Sequence, residues 1–263
     1  MPPAFPCSEA YQNAPASRVG FAPQNAGIPP ALVERQARAL NVLLAGASPE
    51  EIIAAAQEAV CPGRLAIVSS FGTESAVLLA ATAAVDRSIP VLIIDTGYLF
   101  PETLAYRDQL QRLLGLRDVR AIRPDGAELA EDDPDGDLYG RDPDACCALR
   151  KVRPLAKALG GFDAWINGRK RFQGGDRSAI PVVEAEGPRL KFNPLAALEP
   201  AHIAARFADA SLPPHPLEKH GFRSIGCMPC TSATRPGEDP RAGRWRGRGK
   251  VECGIHLGTA LKG

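Results

Sequence analysis

Five cysteines in this chain have spacings that chemistry could use: an adjacent pair, Cys146-Cys147, a Cys227-Met228-Pro229-Cys230 turn, and Cys253, three residues before His256. A Cys-x-x-Cys turn lets two thiolates converge on one metal centre, and a second pair completes a four-thiolate set, either structural zinc or iron-sulfur. Vicinal cysteines fit mononuclear zinc poorly, since its ligands usually stand about two to four residues apart. On a helix they point about 100 degrees from one another and can both reach a polynuclear centre at the helix start, where the dipole favours thiolates. The set therefore leans to iron-sulfur over zinc. A thioredoxin-type redox pair is the third reading, but it needs Cys-x-x-Cys to open a helix after an early strand, and this one lies late among Pro, Arg and Gly. Lys151 falls one helical turn after Cys147, on the same face, where a cation offsets the charge of a thiolate-bound metal. Cys253 has no partner at ligand spacing, and arginines upstream would raise its thiolate fraction, as a nucleophile requires.

Other residues suit anions. Ser69-Ser70-Phe71-Gly72-Thr73-Glu74-Ser75 follows an apolar run and leads into an Ala/Leu-rich helix, a turn whose backbone amides can cradle a phosphate. It matches neither the Walker pattern nor the dinucleotide glycine fingerprint. Asp95-Thr96-Gly97 ends a second apolar run, where an Asp can equally cap the following turn. Gly168-Arg169-Lys170-Arg171-Phe172-Gln173 and Arg177 concentrate cations after an apparent strand, with guanidiniums suited to phosphate or sulfate oxygens. His202 and His215 have no ligand-like company and read as structural or surface groups. Cys61 reads as a core residue and Cys7 as incidental.

The chain of 263 residues, with 31 Lys and Arg against 30 Asp and Glu, is long enough for one large core and carries no global field that would favour nucleic acid or an acidic membrane surface. No secretory signal or membrane-length apolar stretch is present, so a cytoplasmic location is expected, where seven cysteines point to metal or thiol chemistry rather than a disulfide framework. Residues 1–28, rich in Pro, Ala, Asn and Gln, read as a loose arm. Residues 29–232 read as one α/β domain. Helices are expected from Pro30 to Leu44 and from a Ser48-Pro49-Glu50-Glu51 cap to Cys61. Strands are expected at 65–68, 90–95, 119–122, 164–167 and, edge-like, 191–195, with helices between them. Short strands alternating with helices imply a mostly parallel sheet covered on both faces, with the site at the strands' carboxyl ends. Residues 125–144 read as a solvated acidic turn. Residues 233–263, rich in Gly and Arg, read as a mobile basic tail carrying Cys253.

Taken together, Ser69-Ser70-Phe71-Gly72-x-Glu74, Ile94-Asp95-Thr96-Gly97-x-Leu99-Phe100-Pro101-Glu102-Thr103, Cys146-Cys147-x-x-Arg150-Lys151, Trp165-Ile166-x-Gly168, Gly226-Cys227-x-x-Cys230-Thr231 and Glu252-Cys253-Gly254-Ile255-His256 resemble the assimilatory adenylyl-sulfate reductases of the adenylyl-sulfate and phosphoadenylyl-sulfate reductase family. The resemblance implies an adenine nucleotide alpha-hydrolase-like (PP-loop type) fold, and Cys253 as the nucleophile that attacks the sulfur of adenosine 5'-phosphosulfate, with Lys151 and His256 beside it. It implies a thioredoxin or glutaredoxin partner that frees sulfite, and one 4Fe-4S cluster per subunit on Cys146, Cys147, Cys227 and Cys230. Substrate contacts are expected from Ser69, Ser70, Phe71, Gly72, Glu74, Asp95, Thr96, Gly97, Arg171 and Arg177, with Arg244 and Arg246 closing from the tail. A homo-oligomer is expected, with no nucleic-acid or membrane partner. Asn167, Lys170 and Gly174 depart from the family's usual Thr, Arg and Ser, which leaves the 3'-phosphorylated nucleotide as an alternative substrate. A more distant alternative is a zinc-stabilised nucleotide-binding protein. An ATP-splitting enzyme of the same fold would need a Ser-Gly-Gly-x-Asp-Ser loop, and this chain has Ser-Ser-Phe-Gly-Thr-Glu-Ser.

Overall fold

A computed structural model describes residues 29–256. The arm 1–28 with Cys7, and the end of the tail after residue 256, lie outside the described residues. Six strands, β1 (Leu65–Val68), β2 (Val91–Ile94), β3 (Val119–Ile122), β4 (Ala164–Ile166), β5 (Val183–Glu186) and β6 (Arg189–Phe192), form one sheet in the order β3-β2-β1-β4-β6-β5. All pairings are parallel except β5 with β6. β1 and β4 are buried throughout and almost wholly apolar, as a parallel strand covered on both faces must be.

The order reverses direction between β1 and β4, so the loops leaving these two neighbours part and leave a crevice at their carboxyl ends. Helices α1 (Pro30–Leu43), α2 (Pro49–Glu58), α3 (Ser75–Val85) and α4 (Pro101–Leu114) flank the sheet. The expected cap of α2 is a complete capping box, Ser48 accepting from the Glu51 amide while Glu51 accepts from the Ser48 amide. At the β5 edge, the Asn41 amide of α1 bonds both the N–H and the C=O of Val183, at 3.0 and 2.7 Å, which satisfies backbone that a neighbouring chain could otherwise pair with.

The fold departs from two expectations. The strand near 191 is not at the edge: β6 lies between β4 and β5, and β5 escaped notice because its Val-Glu-Ala-Glu pattern looks solvated. Its charges are matched from within, Glu184 by Arg169 and Glu186 by Lys191 at 3.2 Å, with Lys191 only 1% exposed. Residues 125–144 are not a plain solvated turn but carry α5 (Gly126–Asp132), α6 (Leu138–Arg141) and the start of α7 (Pro143–Cys147). Asp133 among them is 3% exposed, accepts from the Leu138 amide at 2.9 Å, and pairs with Arg150 at 2.6 Å.

The helix through the vicinal cysteines is not continuous α-helix. Asp142 caps it through the Asp144 and Ala145 amides, and after Cys147 a π-helical turn covers Ala148–Val152, with the Arg153 amide reaching back to Ala148, before α8 (Arg153–Ala158). Pro154 lacks the N–H that a regular ladder would use. Single π turns often mark functional sites because they re-aim side chains. Here Arg150 turns beneath the sheet ends, bonding Asp133 and the Thr96 carbonyl, and Lys151 turns into the crevice. Finally α9 (Pro200–Asp209) packs beside α3, with Ile203 in the same core as α1–α4, while Leu155 of α8 belongs to the core on the other face. His202 closes its cap with Glu199, and His215 is buried against the Thr103 hydroxyl at 3.1 Å, both structural as expected.

Candidate active site

The crevice between β1 and β4 is a cavity of about 250 Å³. Its walls come from the loop after β1, the loop after β4, Lys151, the segment before Cys227, and the tail. Ser69, Ser70, Gly72 and Glu74 line it. Phe71 does not: its side chain is wholly buried in the core and its backbone holds a left-handed φ of 49°, so it anchors the loop from below. Glu74 accepts from Lys170 Nζ at 2.6 Å and from Gln173 Nε2 at 3.0 Å, which ties the two strand loops together across the crevice mouth.

The loop after β2 has a different task. Asp95 caps Gly97 and pairs outward with Arg123 at 3.0 Å, while the Thr96 hydroxyl lies 3.2 Å from Cys227 Sγ. The Met228 amide then donates to Tyr98 O at 2.8 Å. None of Asp95, Thr96 and Gly97 reaches the cavity; together they seat the Cys-x-x-Cys turn. Arg171 and Arg246 also lie elsewhere, Arg171 bonding the Ile180 carbonyl and Arg246 pairing with Glu238 at 2.8 Å.

Cys146, Cys147, Cys227 and Cys230 are all buried and all carry free thiols, while Cys253 is half-buried. Cys147, Cys227 and Cys230 share one apolar cluster with Trp245, against which Cys253 packs. Burial first, and then the neighbouring sulfurs Cys147 and Cys227, push the Cys146 thiol up to about 12. Burial also raises Cys147 and Cys230, although Lys151 pulls both the other way. Among the described residues no three His, Cys, Asp or Glu side chains converge as they would on a single ion.

Burial works against the charge on Lys151, but the sulfurs of Cys227, Cys253 and Cys147 outweigh it and hold the ammonium above its ordinary range. No carboxylate pairs with Lys151 or Arg244 among the described residues. Arg244 Nε is buried without a hydrogen-bond partner, and its guanidinium lies 4.4 Å from the Trp245 ring centroid. A Cβ at Gly226 would run into that guanidinium, so the glycine before Cys227 lets Arg244 cross the turn. Lys151 and Arg244 thus face the crevice without a carboxylate partner among the described residues.

The stretch expected to be a mobile tail is docked. Thr231 and Arg244 form an antiparallel bridge, the Trp245 amide donates to Cys230 O at 3.0 Å, and Trp245 is 2% exposed at a left-handed φ of 46°. Arg248 bonds the Tyr139 carbonyl and Lys250 pairs with Asp144, which draws the tail over α6 and α7. Trp245→Ala is expected to destabilise the fold by about 3 kcal/mol, since it empties a filled space beside three of the four cysteines. A denaturant midpoint checks it.

Beyond Trp245 two anchors bracket Cys253. Glu252 pairs with Arg177 at 2.6 Å and Arg241 at 3.2 Å, and the two guanidiniums overcome burial to hold its carboxyl below the usual range. The His256 ring stacks on Trp165 of β4 at 5.9 Å and 6°, and its carbonyl accepts from Lys191 at 3.4 Å. Sequence reasoning missed Arg241, because nothing within an Arg/Gly run separates it from Arg246 until Glu252 is seen to choose it.

Burial, followed by repulsion from Lys191, Arg169, Arg177 and Arg241, drives the His256 pKa well below its ordinary value. An undocked imidazole titrates near 6.5, so only the undocked tail takes up a proton just below that pH. Docking should therefore be complete above about pH 6.5 and weaken by up to about 1.4 kcal/mol per unit below it. Glu252, whose carboxyl is lowered, loses its contribution only at more acidic pH. Limited proteolysis of the tail against pH checks this, and His256→Gln should flatten the profile between pH 6.5 and 5.5.

Residues 64–233 match the phosphoadenosine phosphosulfate reductase domain family. The chain is 47% identical over 225 residues to an adenosine 5'-phosphosulfate reductase of Mesorhizobium japonicum, covering 86% of this chain and 89% of the relative. It is 40% identical over 215 residues to a phosphoadenosine 5'-phosphosulfate reductase of Gloeobacter violaceus, covering 80% and 88% respectively. Among solved structures it is similar to a phosphoadenylyl-sulfate reductase from Candida auris in a phosphate complex, with a TM-score of 0.64 and 25% identity over 76% of this chain and 97% of that one.

Proposed function

We propose, on the premise that the chain belongs to the phosphoadenosine phosphosulfate reductase family, that it reduces adenosine 5'-phosphosulfate to sulfite and AMP in sulfate assimilation, through Cys253 and a thioredoxin-type dithiol. The observation that carries the reading is the placement of Cys253 in the same cavity as Lys151, Arg177, Arg244 and the β1 loop. A thiolate there has a nucleotide-sized anion site in front of it. The adjacent cations can neutralise both the nucleophile and the charge that develops on the leaving phosphate.

Cys253 Sγ attacks the sulfonyl sulfur, an S–S bond forms, and the S–O bond to phosphate breaks with its electron pair leaving on AMP. The enzyme then carries Cys253 as an S-sulfonate. A thiolate of the reductant attacks Cys253 Sγ, sulfite leaves with the electron pair, and a mixed disulfide forms. The reductant's second thiol resolves it, so the dithiol supplies both electrons and Cys253 returns as a thiol. Arg244, with its buried Nε unpartnered, is placed to accept an oxyanion, and Lys151 faces both Cys253 and the cluster of cysteines.

The four buried cysteines fit a 4Fe-4S cluster. They are free, lie within electrostatic reach of one another, and would need cationic charge among them to give up their protons against burial. Cys146, Cys147, Cys227 and Cys230 would hold it, and what it would supply is electrostatic, a fixed charge within reach of Lys151. The test is sulfite release from adenosine 5'-phosphosulfate and from its 3'-phosphorylated form with reduced thioredoxin, with intact-mass detection of the S-sulfonate when thioredoxin is left out. Turnover of the unphosphorylated nucleotide with a gain of one SO₃ on Cys253 is expected. Turnover of only the 3'-phosphorylated form would move the substrate assignment, and absence of both would sink the reading.

A further inference from the structure

Glu252 stands in the cavity beside the residue that reacts, yet the sulfur chemistry needs no carboxylate there. Arg177 grips it with two parallel bonds, Nε to Oε1 at 2.6 Å and Nη2 to Oε2 at 2.9 Å, and Arg241 adds a contact at 3.2 Å. The side chains of Arg177, Glu252 and Arg241 are 12, 13 and 19% exposed. Buried guanidiniums require an anion, and a fork that fits two carboxylate oxygens also fits two oxygens of a phosphate or a sulfonate. The same arginines face the space a nucleotide must enter.

We propose that Glu252 is a positioning residue: it stands in for the substrate's oxyanion on Arg177 and Arg241, so holding the Cys253 segment in place when no nucleotide is bound, and the incoming nucleotide displaces it from those guanidiniums. The displaced segment stays attached, because His256 remains stacked on Trp165 and Trp245 remains packed on the cysteines. Gly254, at a φ of 85°, provides the pivot between Cys253 and the His256 anchor. The span that moves is thus short and carries the nucleophile. This inference rests on the reading of the cavity as the nucleotide site.

The experiment uses the full chain with AMP as the probe and follows two quantities, AMP affinity by calorimetry and the rate at which iodoacetamide alkylates Cys253, located by peptide mass. AMP should speed alkylation of the unmodified protein severalfold. Glu252→Gln should alkylate at that faster rate without AMP and bind AMP about tenfold tighter, a gain of about 1.4 kcal/mol. Glu252→Asp, which keeps the charge, should return both values toward the starting protein. Asp239→Asn removes a carboxylate from the same cavity without freeing Arg177, and separates displacement from a general loss of negative charge. Alkylation that ignores both AMP and Glu252→Gln overturns the proposal, as does an AMP affinity matched by Asp239→Asn. If the unmodified protein does not bind AMP at all, the nucleotide reading itself has failed instead.

Discussion

Cys253→Ser should lower sulfite release by at least about 10³-fold while leaving AMP affinity and the denaturation midpoint close to their starting values. A serine hydroxyl is not ionised near neutral pH, and an oxygen cannot form the disulfide-like bond through which a dithiol later removes sulfite. The structural cost is small because Cys253 is half-buried at the rim of the cysteine and tryptophan cluster. The other four cysteines cannot take over. They are buried, and in the reading proposed above their sulfurs are committed to the cluster. A sulfite assay with reduced thioredoxin, run beside AMP calorimetry, checks the expectation. Activity within tenfold of the starting protein would remove Cys253 as the nucleophile.

Much of this arrangement was legible in the residues. The short apolar strands and the cap at Ser48 specify local structure by themselves, and the spacing of the paired cysteines anticipates four buried thiols near one another. What stayed hidden was set by long-range pairing. Glu184 and Glu186 look like solvent-facing groups until Arg169 and the buried Lys191 are seen opposite them. Asp133 looks like one more acid in an acidic turn until Arg150 finds it across a π turn that no hydrophobic period announces. The Arg/Gly tail has low packing potential as a sequence, and it orders by docking on surfaces made elsewhere: the cysteine turn, the Trp165 face and the Arg177 fork. The nucleotide-contact expectations followed the same rule. Residues on the β1 loop reached the cavity, whereas the β2 loop went to seat Cys227, because the crevice opens where the strand order reverses, between β1 and β4.

Lys151→Ala is the second large effect, expected to slow formation of the Cys253 S-sulfonate by about 10²-fold with iron content and visible absorbance unchanged. Lys151 is set by the π turn to face Cys147, Cys227 and Cys253 together, with no carboxylate to neutralise it among the described residues. An unpaired ammonium in that position favours negative charge on sulfur. Its contribution grows as the reaction proceeds, because phosphate oxygen gains charge when the S–O bond breaks, so the loss should fall on the chemical step more than on nucleotide affinity. Lys151→Arg keeps the charge on a bulkier planar group and should recover part of the rate. The two halves of the claim separate by measurement. An unchanged rate of S-sulfonate formation in Lys151→Ala removes the electrostatic role. A fall in rate accompanied by loss of iron would instead make Lys151 a support of the cysteine site.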